Sequence, residues 1–200
     1  MDPADAHSVT IPLETLTRDS FAQFGEMLTV VGSPLPHVYG AAIEPYRAGR
    51  VQAVTGVEWI FSRHFVREFR VQYLERHTQF TQTMIPLGGD PLIVAVARAD
   101  APLQDGLPRI GEVHAFLVPG DAAVNLGLGT WHEVPFPVVD GSVALLTSHA
   151  KLSAGWAQLG EDGEIHGAAE TDEEKCDVLA RAGVRLMIDV SGLASVPSAT

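Results

Sequence analysis

The chain has 200 residues, of which 46% are hydrophobic and 19% are charged, and its formal net charge is -12. This length and composition suffice for one domain with a hydrophobic core and no disulfide bonds. The negative charge argues against nucleic acid and anionic membranes as partners, because both repel an acidic protein. A small anionic substrate would therefore need basic residues clustered at its binding site.

The chain shows no recognisable targeting or membrane-spanning segment. Its first residues, MDPADAHSVT, have no basic region followed by an apolar one, and the longest apolar run, PLIVAVA at 91–97, is too short to span a membrane. The single cysteine, Cys176, excludes an internal disulfide and a multi-cysteine zinc site. We therefore expect a cytoplasmic protein. Cys176 is interpreted as a small buried apolar residue.

The first predicted element is a short helix in LTRDSFAQFGEML. Thr17 suits the N-cap position, Phe21 and Phe24 recur at a helical spacing, and Gly25 can end a helix in the left-handed conformation. Residues 28–56 are rich in glycine, proline and alanine, which predicts loops and short edge strands.

Residues 57–149 consist of short apolar runs separated by turn-forming sequences such as GGDP, QDGLP, PGD and DG. The runs predict strands in VEWIF (57–61), FRVQYLERH (69–77), TQTMIPL (81–87), LIVAVAR (92–98), VHAFLV (113–118), AAVNL (122–126), VPFPVV (134–139) and VALLTSH (143–149). Many short strands without intervening helices indicate a closed or sandwiched antiparallel sheet, and small barrels often bind a ligand at the mouth.

The end of the chain predicts a helix followed by a strand. Thr171 and Glu174 have the spacing of a capping box, Gly183 can end the helix, and VRLMIDV follows. The DEEK run at 172–175 is then most simply a solvated first helical turn.

We accordingly divide the chain into a barrel domain, residues 1–150, and a C-terminal extension, residues 151–200. The extension is expected to pack on the barrel or on a second subunit, and SGLASVPSAT is expected to fray.

A polar cluster interrupts the predicted strands at LERHTQFTQTMIPLGGD (74–90). Because side chains alternate along a strand, Glu75 and His77 point the same way, and Gln82 on the following strand can reach the same interior. A second polar segment, GLGTWHEVPF (127–136), contributes His132. One carboxylate and two histidines suit a divalent first-row metal, and three protein ligands leave a position open for catalysis.

A histidine taken alone is more often a surface or hydrogen-bonded core residue than a ligand. His114 lies on an apolar strand and is interpreted as structural. Trp131 and Phe136 are interpreted as core or pocket wall more readily than as specific substrate platforms.

The motif Glu75-Arg-His77-x4-Gln82-x6-Gly89 resembles the first cupin motif, and Gly127-x-Gly129-x2-His132 resembles the second. Over roughly residues 11–149, the segments DSFAQFG, LERHTQFTQTMIPLGGDPLIVAVA and AFLVPGDAAVNLGLGTWH resemble the ureidoglycolate lyase family.

This resemblance implies a mostly β, cupin-type double-stranded antiparallel β-barrel with a short N-terminal helix and a C-terminal helix-strand extension. It also implies a homodimer that splits ureidoglycolate into urea and glyoxylate, a step of allantoin degradation in purine metabolism. The implied cofactor is one divalent metal (Ni, Mn, Zn or Fe) and no nucleotide. Its expected ligands are Glu75, His77, Gln82 and His132.

The resemblance also suggests roles for individual side chains. Glu75, His77 and His132 are the expected catalytic residues. Because an arginine can pair with a substrate carboxylate through two hydrogen bonds, Arg63 and Arg76 are candidates, although Arg76 needs a bulge or twist to reach the interior. The full set of substrate-binding candidates is Arg63, Arg76, Gln82, Asn125, Trp131 and Glu133.

Two other readings of the same residues stay open. The ligand types also suit a metal-dependent cupin oxygenase or isomerase acting on another small organic acid. A cupin that binds a small acid without catalysis is the third reading. Metal content, oxygen consumption and the effect of replacing Glu75 or His132 separate the three.

Overall fold

The computed structural model describes residues 6–32, 45–54, 56–149, 160, 163–168 and 173–193. The strands of these ranges are β1 (His7–Thr15), β2 (Gly25–Leu28), β3 (Val57–His64), β4 (Arg70–Val71), β5 (Tyr73–His77), β6 (Gln82–Leu87), β7 (Leu92–Ala97), β8 (Leu103–Gln104), β9 (Leu107–Pro108), β10 (His114–Val118), β11 (Ala123–Leu126), β12 (Trp131–His132), β13 (Phe136–Pro137), β14 (Ser142–His149), β15 (Ile165–Ala168), β16 (Glu173–Asp177) and β17 (Val184–Asp189). The helices are α1 (Arg18–Phe21), α2 (Val178–Ala182) and one 3-10 turn, Ile110–Glu112. No helix in the described ranges is long and apolar enough to cross a membrane.

Within the described ranges, strands β8 and β9 pair only with each other, and the other strands form two sheets that face each other. Sheet I has the order β15-β16-β5-β12-β7-β10-β1-β17-β4, with β13 also paired to β7, and sheet II has the order β2-β11-β6-β14-β3. Along the chain β5, β6 and β7 belong to sheets I, II and I, and β10, β11 and β12 repeat that alternation. This interleaving is the cupin-type arrangement, so the predicted mostly β fold class is confirmed.

Sheet I departs from the purely antiparallel barrel expected from the sequence. Strand β1, which the sequence analysis did not predict, pairs in parallel with both β10 and β17. It places Val9, Ile11 and Leu13 against the apolar residues that cover the outside of the sheet. The run at 134–139 forms only β13, because Pro135 and Pro137 have no N–H for a sheet ladder.

Strand β7 explains why the chain contains the apolar run LIVAVA. All six of its residues are buried because two hydrophobic cores lie on its two faces. Leu92, Val94 and Val96 belong to the inner core between the sheets, which also contains Phe116. The alternate residues of β7 belong to the outer core on the other face of sheet I, with Trp131.

The N-terminal helix forms but is shorter than predicted. Thr17 is its N-cap, and the Thr17 hydroxyl accepts a 3.0 Å hydrogen bond from the backbone N–H of Ser20. The helix ends at Phe21, and Gly25 begins strand β2 instead of ending the helix, because β2 pairs with β11. Phe21 and Phe24 enter the inner core as expected from their spacing.

The C-terminal helix begins later than predicted. Glu174 lies in strand β16, so the capping box is wrong on that residue, and Thr171 lies outside the described residues. Asp177 is the actual N-cap and accepts a 2.8 Å hydrogen bond from the N–H of Ala180. Gly183 ends the helix with a φ of 68°, and a final strand follows, both as predicted.

Strand β16 replaces the predicted solvated helical turn because it forms a five-residue antiparallel ladder with β5. This ladder buries Cys176 in the outer core, where only 1% of its surface is exposed and burial raises the pKa of its thiol to about 11. Strand β17 joins the same sheet through β1. The division at residue 150 stays a prediction, and residues 194–200 of the predicted frayed tail lie outside the described ranges.

Gly25 offers a test of how closely β2 approaches β11. A Cβ atom at this position would collide with the backbone carbonyl of Asn125. We expect Gly25→Ala to lower the free energy of unfolding by about 1–3 kcal/mol, because neither backbone can move away easily. Chemical denaturation measures the change. Gly111→Ala is the control, since a Cβ there meets nothing within 4 Å, and an equal effect of both substitutions would contradict the expectation.

Candidate active site

The site is built on one row of side chains that crosses sheet I. In the ladders Lys175 lies opposite Glu75, Glu75 lies opposite His132, and His132 lies opposite Val96. Residues directly opposite each other in a sheet point to the same face. Because Val96 belongs to the inner core, this row faces the space between the sheets.

Glu75, His77 and His132 come together on that face and are referred to below as the triad. One ligand atom from each lies within 4.8 Å of the others. Nε2 of His132 is 3.3 Å from Oε1 of Glu75, and the two imidazole centroids are 5.3 Å apart. Only 2% of the His132 side chain and 13% of the Glu75 side chain are exposed. The triad is therefore a buried group of two nitrogen donors and one oxygen donor.

A hydrogen bond orients His132 within the triad. Its Nδ1 is 3.1 Å from the backbone carbonyl of Thr130, and a carbonyl can only accept, so Nδ1 carries a proton. In the neutral ring Nε2 then presents its lone pair toward Glu75. This is the orientation that a metal-ligating histidine needs, with the second ring nitrogen held by a backbone carbonyl. On the other side of the triad, His77 stacks on Phe80 with centroids 4.5 Å apart.

Gln82 approaches the same space from sheet II. It lies two positions before Met84 on β6 and opposite Leu126, and both of these neighbours belong to the inner core. Its Oε1 is buried without a hydrogen-bond partner among the described residues. An unpartnered buried amide oxygen is suited to a cation or a substrate donor, and its role as a fourth ligand stays a prediction.

Within the triad, Glu75 and His132 shift the pKa of each other. Burial by itself raises the pKa of Glu75, but the adjacent His132 imidazole, with the charges of His77 and Lys175, lowers it to about 2. Burial lowers the pKa of His132, and Glu75 more than reverses this, so the net shift is upward. The buried Glu75 carboxylate is therefore stabilised by a positive charge close to it. A divalent cation fits the three donors of the triad and would supply that charge in place of the proton on Nε2 of His132.

Arg63 and Asn125, both predicted to bind substrate, are not brought to the triad. Arg63 is exposed on β3. Asn125 lies between Val124 and Leu126 of the inner core and therefore points to the opposite face of sheet II. There its Oδ1 accepts a 2.8 Å hydrogen bond from the Thr83 hydroxyl.

Arg76 and Trp131 lie on the opposite face of sheet I from the triad. Arg76 donates from Nε to Oε2 of Glu174 over 2.8 Å, and its guanidinium lies 4.4 Å from the Trp131 ring centroid. The β5–β16 ladder runs in unbroken register, without the bulge that would turn Arg76 inward. Trp131 is fully buried in the outer core.

The Glu133 carboxylate accepts hydrogen bonds from the backbone N–H groups of nearby residues. Its Oε2 accepts hydrogen bonds from the N–H groups of Gln72 and Tyr73, 2.9 and 2.8 Å long, and its Oε1 accepts one from Val134. Burial raises the pKa of Glu133, although these donors and Arg67 oppose that shift. The structure therefore places Glu133 where it anchors the start of β5.

Two charged residues at the triad were missed by the sequence analysis, Glu173 and Lys175 of β16. Lys175 Nζ lies 3.9 Å from Oε2 of Glu75, and Glu173 lies opposite His77. Burial and the charge of Glu75 raise the pKa of Glu173 to about 7. Glu173 and Lys175 alternate with the buried Cys176, which is the period-two pattern of a strand. The composition of DEEK also favours a helix, so the strand was not predicted.

The sequence of this chain is similar to those of known proteins. A family model described as ureidoglycolate lyase matches residues 8–151. The chain belongs to the ureidoglycolate lyase family. Ureidoglycolate lyase of Pseudomonas aeruginosa strain LESB58 is 34% identical over 130 residues, which cover 62% of this chain and 74% of that protein. The Brucella ovis protein of the same name is 32% identical over 130 residues, 62% and 73% of the two chains.

Among solved structures, RmlC from Streptococcus suis in complex with dTDP-D-xylose matches 61% of this chain and 60% of its own, at 13% identity and a TM-score of 0.28. A score this low supports no structural argument, and the fold assignment above follows from the strand order. Within the match to the ureidoglycolate lyase family lie all three triad residues and Gln82, whereas β16 and β17 lie beyond it.

The lowered pKa of Glu75 predicts a specific dependence of stability on pH. Its shift from 4.5 to about 2 corresponds to a stabilisation on the order of 3 kcal/mol. For a lowered carboxyl pKa this stabilisation is present above the unfolded pKa and is lost as the pH falls toward the folded one. We expect the difference in unfolding free energy between the metal-free native chain and Glu75→Gln to fall between about pH 6 and about pH 3.

Denaturant titrations of both proteins across this range measure that difference, and using the difference cancels the contribution of the other carboxyl groups. A difference that stays constant with pH would show that Glu75 is not held as a buried carboxylate.

Proposed function

We propose that this protein is a ureidoglycolate lyase, which converts ureidoglycolate into glyoxylate and urea. The observation that carries the proposal is the buried triad on the inner face of sheet I, formed by residues within the family match. The names of the relatives from Pseudomonas aeruginosa and Brucella ovis support the same substrate.

The reaction makes three demands on a site. The bond between the substrate's hydroxyl-bearing carbon and its ureido nitrogen breaks. The hydroxyl loses its proton and becomes the carbonyl of glyoxylate, while the departing nitrogen gains a proton and leaves as urea. No electrons are transferred, so the site must hold the α-hydroxycarboxylate, accept one proton and deliver one.

The triad fits one divalent metal, with Gln82 as the candidate fourth ligand. When bound there, a metal would lower the pKa of the substrate hydroxyl and hold its oxygen beside the carboxylate. The fit follows from the donor set, from the burial of Glu75 and from the Nδ1 hydrogen bond that leaves Nε2 of His132 as a ligand.

The chain's own residues supply orientation and exclusion of water. Thr130 holds the His132 ring, and Phe80 packs flat on His77. Val96 and Met84 belong to the inner core between the sheets and give the site apolar neighbours. If His77 is not a ligand, its imidazole suits the role of general base for the hydroxyl proton, because histidine is the side chain that most often carries protons in catalysis.

Further expectations accompany this function and are supported by the family resemblance alone. They are a homodimer, a cytoplasmic location, a role in the degradation of allantoin from purines, and the absence of a nucleotide cofactor.

The proposed activity predicts large effects of two substitutions. Purified protein mixed with ureidoglycolate should release glyoxylate and urea in equal amounts. Glu75→Ala and His132→Ala should each lower kcat/KM by about 100-fold or more, because each removes a proposed ligand or proton-carrying group. Glu68→Ala and His7→Ala, at exposed positions on other segments, are the matched controls and should retain full activity.

Two results would contradict this. Product release no faster than the uncatalysed rate would exclude the substrate, and release of ammonia and carbon dioxide in place of urea would indicate hydrolysis at the ureido carbon.

Metal removal provides an independent test of the triad. Elemental analysis should find about one divalent metal per chain in the native protein and none in His132→Ala. Dialysis against a chelator should lower both the activity and the thermal midpoint, and adding the metal back should restore them. Full activity in metal-free protein would overturn the cofactor assignment, and iron with oxygen consumption would favour the oxygenase reading.

A further inference from the structure

Strand β16 lies outside the part of the chain that the family model matches, yet it borders the triad directly. The family match ends at residue 151, and β16 runs from Glu173 to Asp177 in a continuous ladder with β5. Its residues at 173 and 175 lie opposite His77 and Glu75. The C-terminal extension therefore adds two side chains to the face that carries the triad.

Contacts on the face of β16 that points away from the triad fix the position of this strand. Glu174 forms an ion pair with Arg76 in which Nη2 and Oε2 are 2.7 Å apart, and Cys176 is buried in the outer core. Both contacts alternate with Glu173 and Lys175, so they hold these two residues toward the triad. A slip of β16 by one residue would turn Cys176 from the outer core toward the triad and break the ion pair.

The Lys175 ammonium can donate hydrogen bonds to a further anionic group. Its Nζ lies 3.9 Å from Oε2 of Glu75, longer than a hydrogen bond, and 4.8 Å from the Tyr73 ring centroid. No hydrogen bond from Nζ is found within the described part of the chain, while only 19% of the side chain is exposed. Three N–H donors thus lie at the triad without a hydrogen-bonded acceptor among the described residues.

The proposed substrate brings a carboxylate to this face, where the charges of the protein are otherwise mostly negative. The same face holds the Glu75 carboxylate and the carboxyl group of Glu173, and the whole chain carries a formal net charge of -12. An incoming anion needs a local cation here, and neither Arg63 nor Arg76 lies on this face. Lys175 provides that cation next to the position where the triad would hold the substrate.

We propose that Lys175 binds the carboxylate of the α-hydroxy acid substrate, so that the C-terminal extension completes the active site. This rests on the proposed lyase function for the identity of the substrate. It predicts a specificity as well: the site should prefer an α-hydroxycarboxylate over its uncharged amide, because Lys175 interacts with the negative charge.

The kinetic test compares three variants. Lys175→Met should raise the KM for ureidoglycolate by about tenfold or more and change kcat much less. Lys175→Arg should recover most of the lost affinity, since it restores the charge. Arg109→Met, which removes an exposed positive charge on a distant turn, is the matched control and should leave KM unchanged. Thermal midpoints of all variants show whether β16 stays folded.

A binding test does not depend on turnover. Calorimetry or competition with glycolate and with glycolamide, its uncharged amide, gives the preference for the charged ligand. The native chain and Lys175→Arg should favour glycolate, and Lys175→Met should lose that preference, which a merely structural role would not cause.

The outcomes separate the two proposals. If the native chain releases no glyoxylate, the lyase function fails, and the glycolate preference still decides the role of Lys175. If the native chain is active but Lys175→Met keeps the native KM and the native preference for glycolate over glycolamide, the assignment of Lys175 is overturned.

Discussion

The register of β5 against its two neighbours is the constraint on which the site depends. Strand β12 fixes His132 opposite Glu75, and β16 fixes Lys175 on the other side of the same residue. A slip of one residue in either ladder would send the side chain to the opposite face. Slippage of β12, for example, would bring Trp131 to the position of His132. Backbone pairing thus determines which side chains form the triad.

The outer core maintains that register. Residues that alternate with the site residues are the ones that pack or pair on the far side of sheet I: Leu74 and Arg76 on β5, Trp131 on β12, and Glu174 and Cys176 on β16. Moving Trp131 or Cys176 toward the triad would remove a fully buried apolar side chain from the outer core, at a cost of about 2–5 kcal/mol for large residues. The same strands therefore provide the polar site on one face and the apolar packing that holds it in place on the other.

Much of this could be predicted from local periodicity. The strands of the central region, the triad and the cap residues Thr17 and Gly183 follow rules that act within a few residues. Alternation also places Trp131 and Glu133 away from the triad: they flank His132 on consecutive positions, so they cannot share its face in a regular strand. The orientation of Asn125 was harder to predict, since it depends on which face of sheet II meets the inner core.

Strand β16 was mispredicted for a different reason. The composition of DEEK favours a helix in isolation, and only the ladder with β5 and the burial of Cys176 make it extended. Interactions between residues about 100 positions apart, such as Arg76 with Glu174, cannot be read from a local window. Tertiary pairing overrides a propensity difference that amounts to less than 1 kcal/mol per residue.

The electrostatics of Glu75 connect the fold to the proposed chemistry. Burial opposes its negative charge, and the charge persists because His132, His77 and Lys175 surround it. Such a cluster stabilises the fold less than apolar residues of the same size could, since the desolvation of each charged group offsets the attraction between them. Its retention at the centre of a well-packed barrel is explained by what it can bind: a divalent cation through the three donors of the triad, and a carboxylate through the ammonium that the last part of the chain brings beside them.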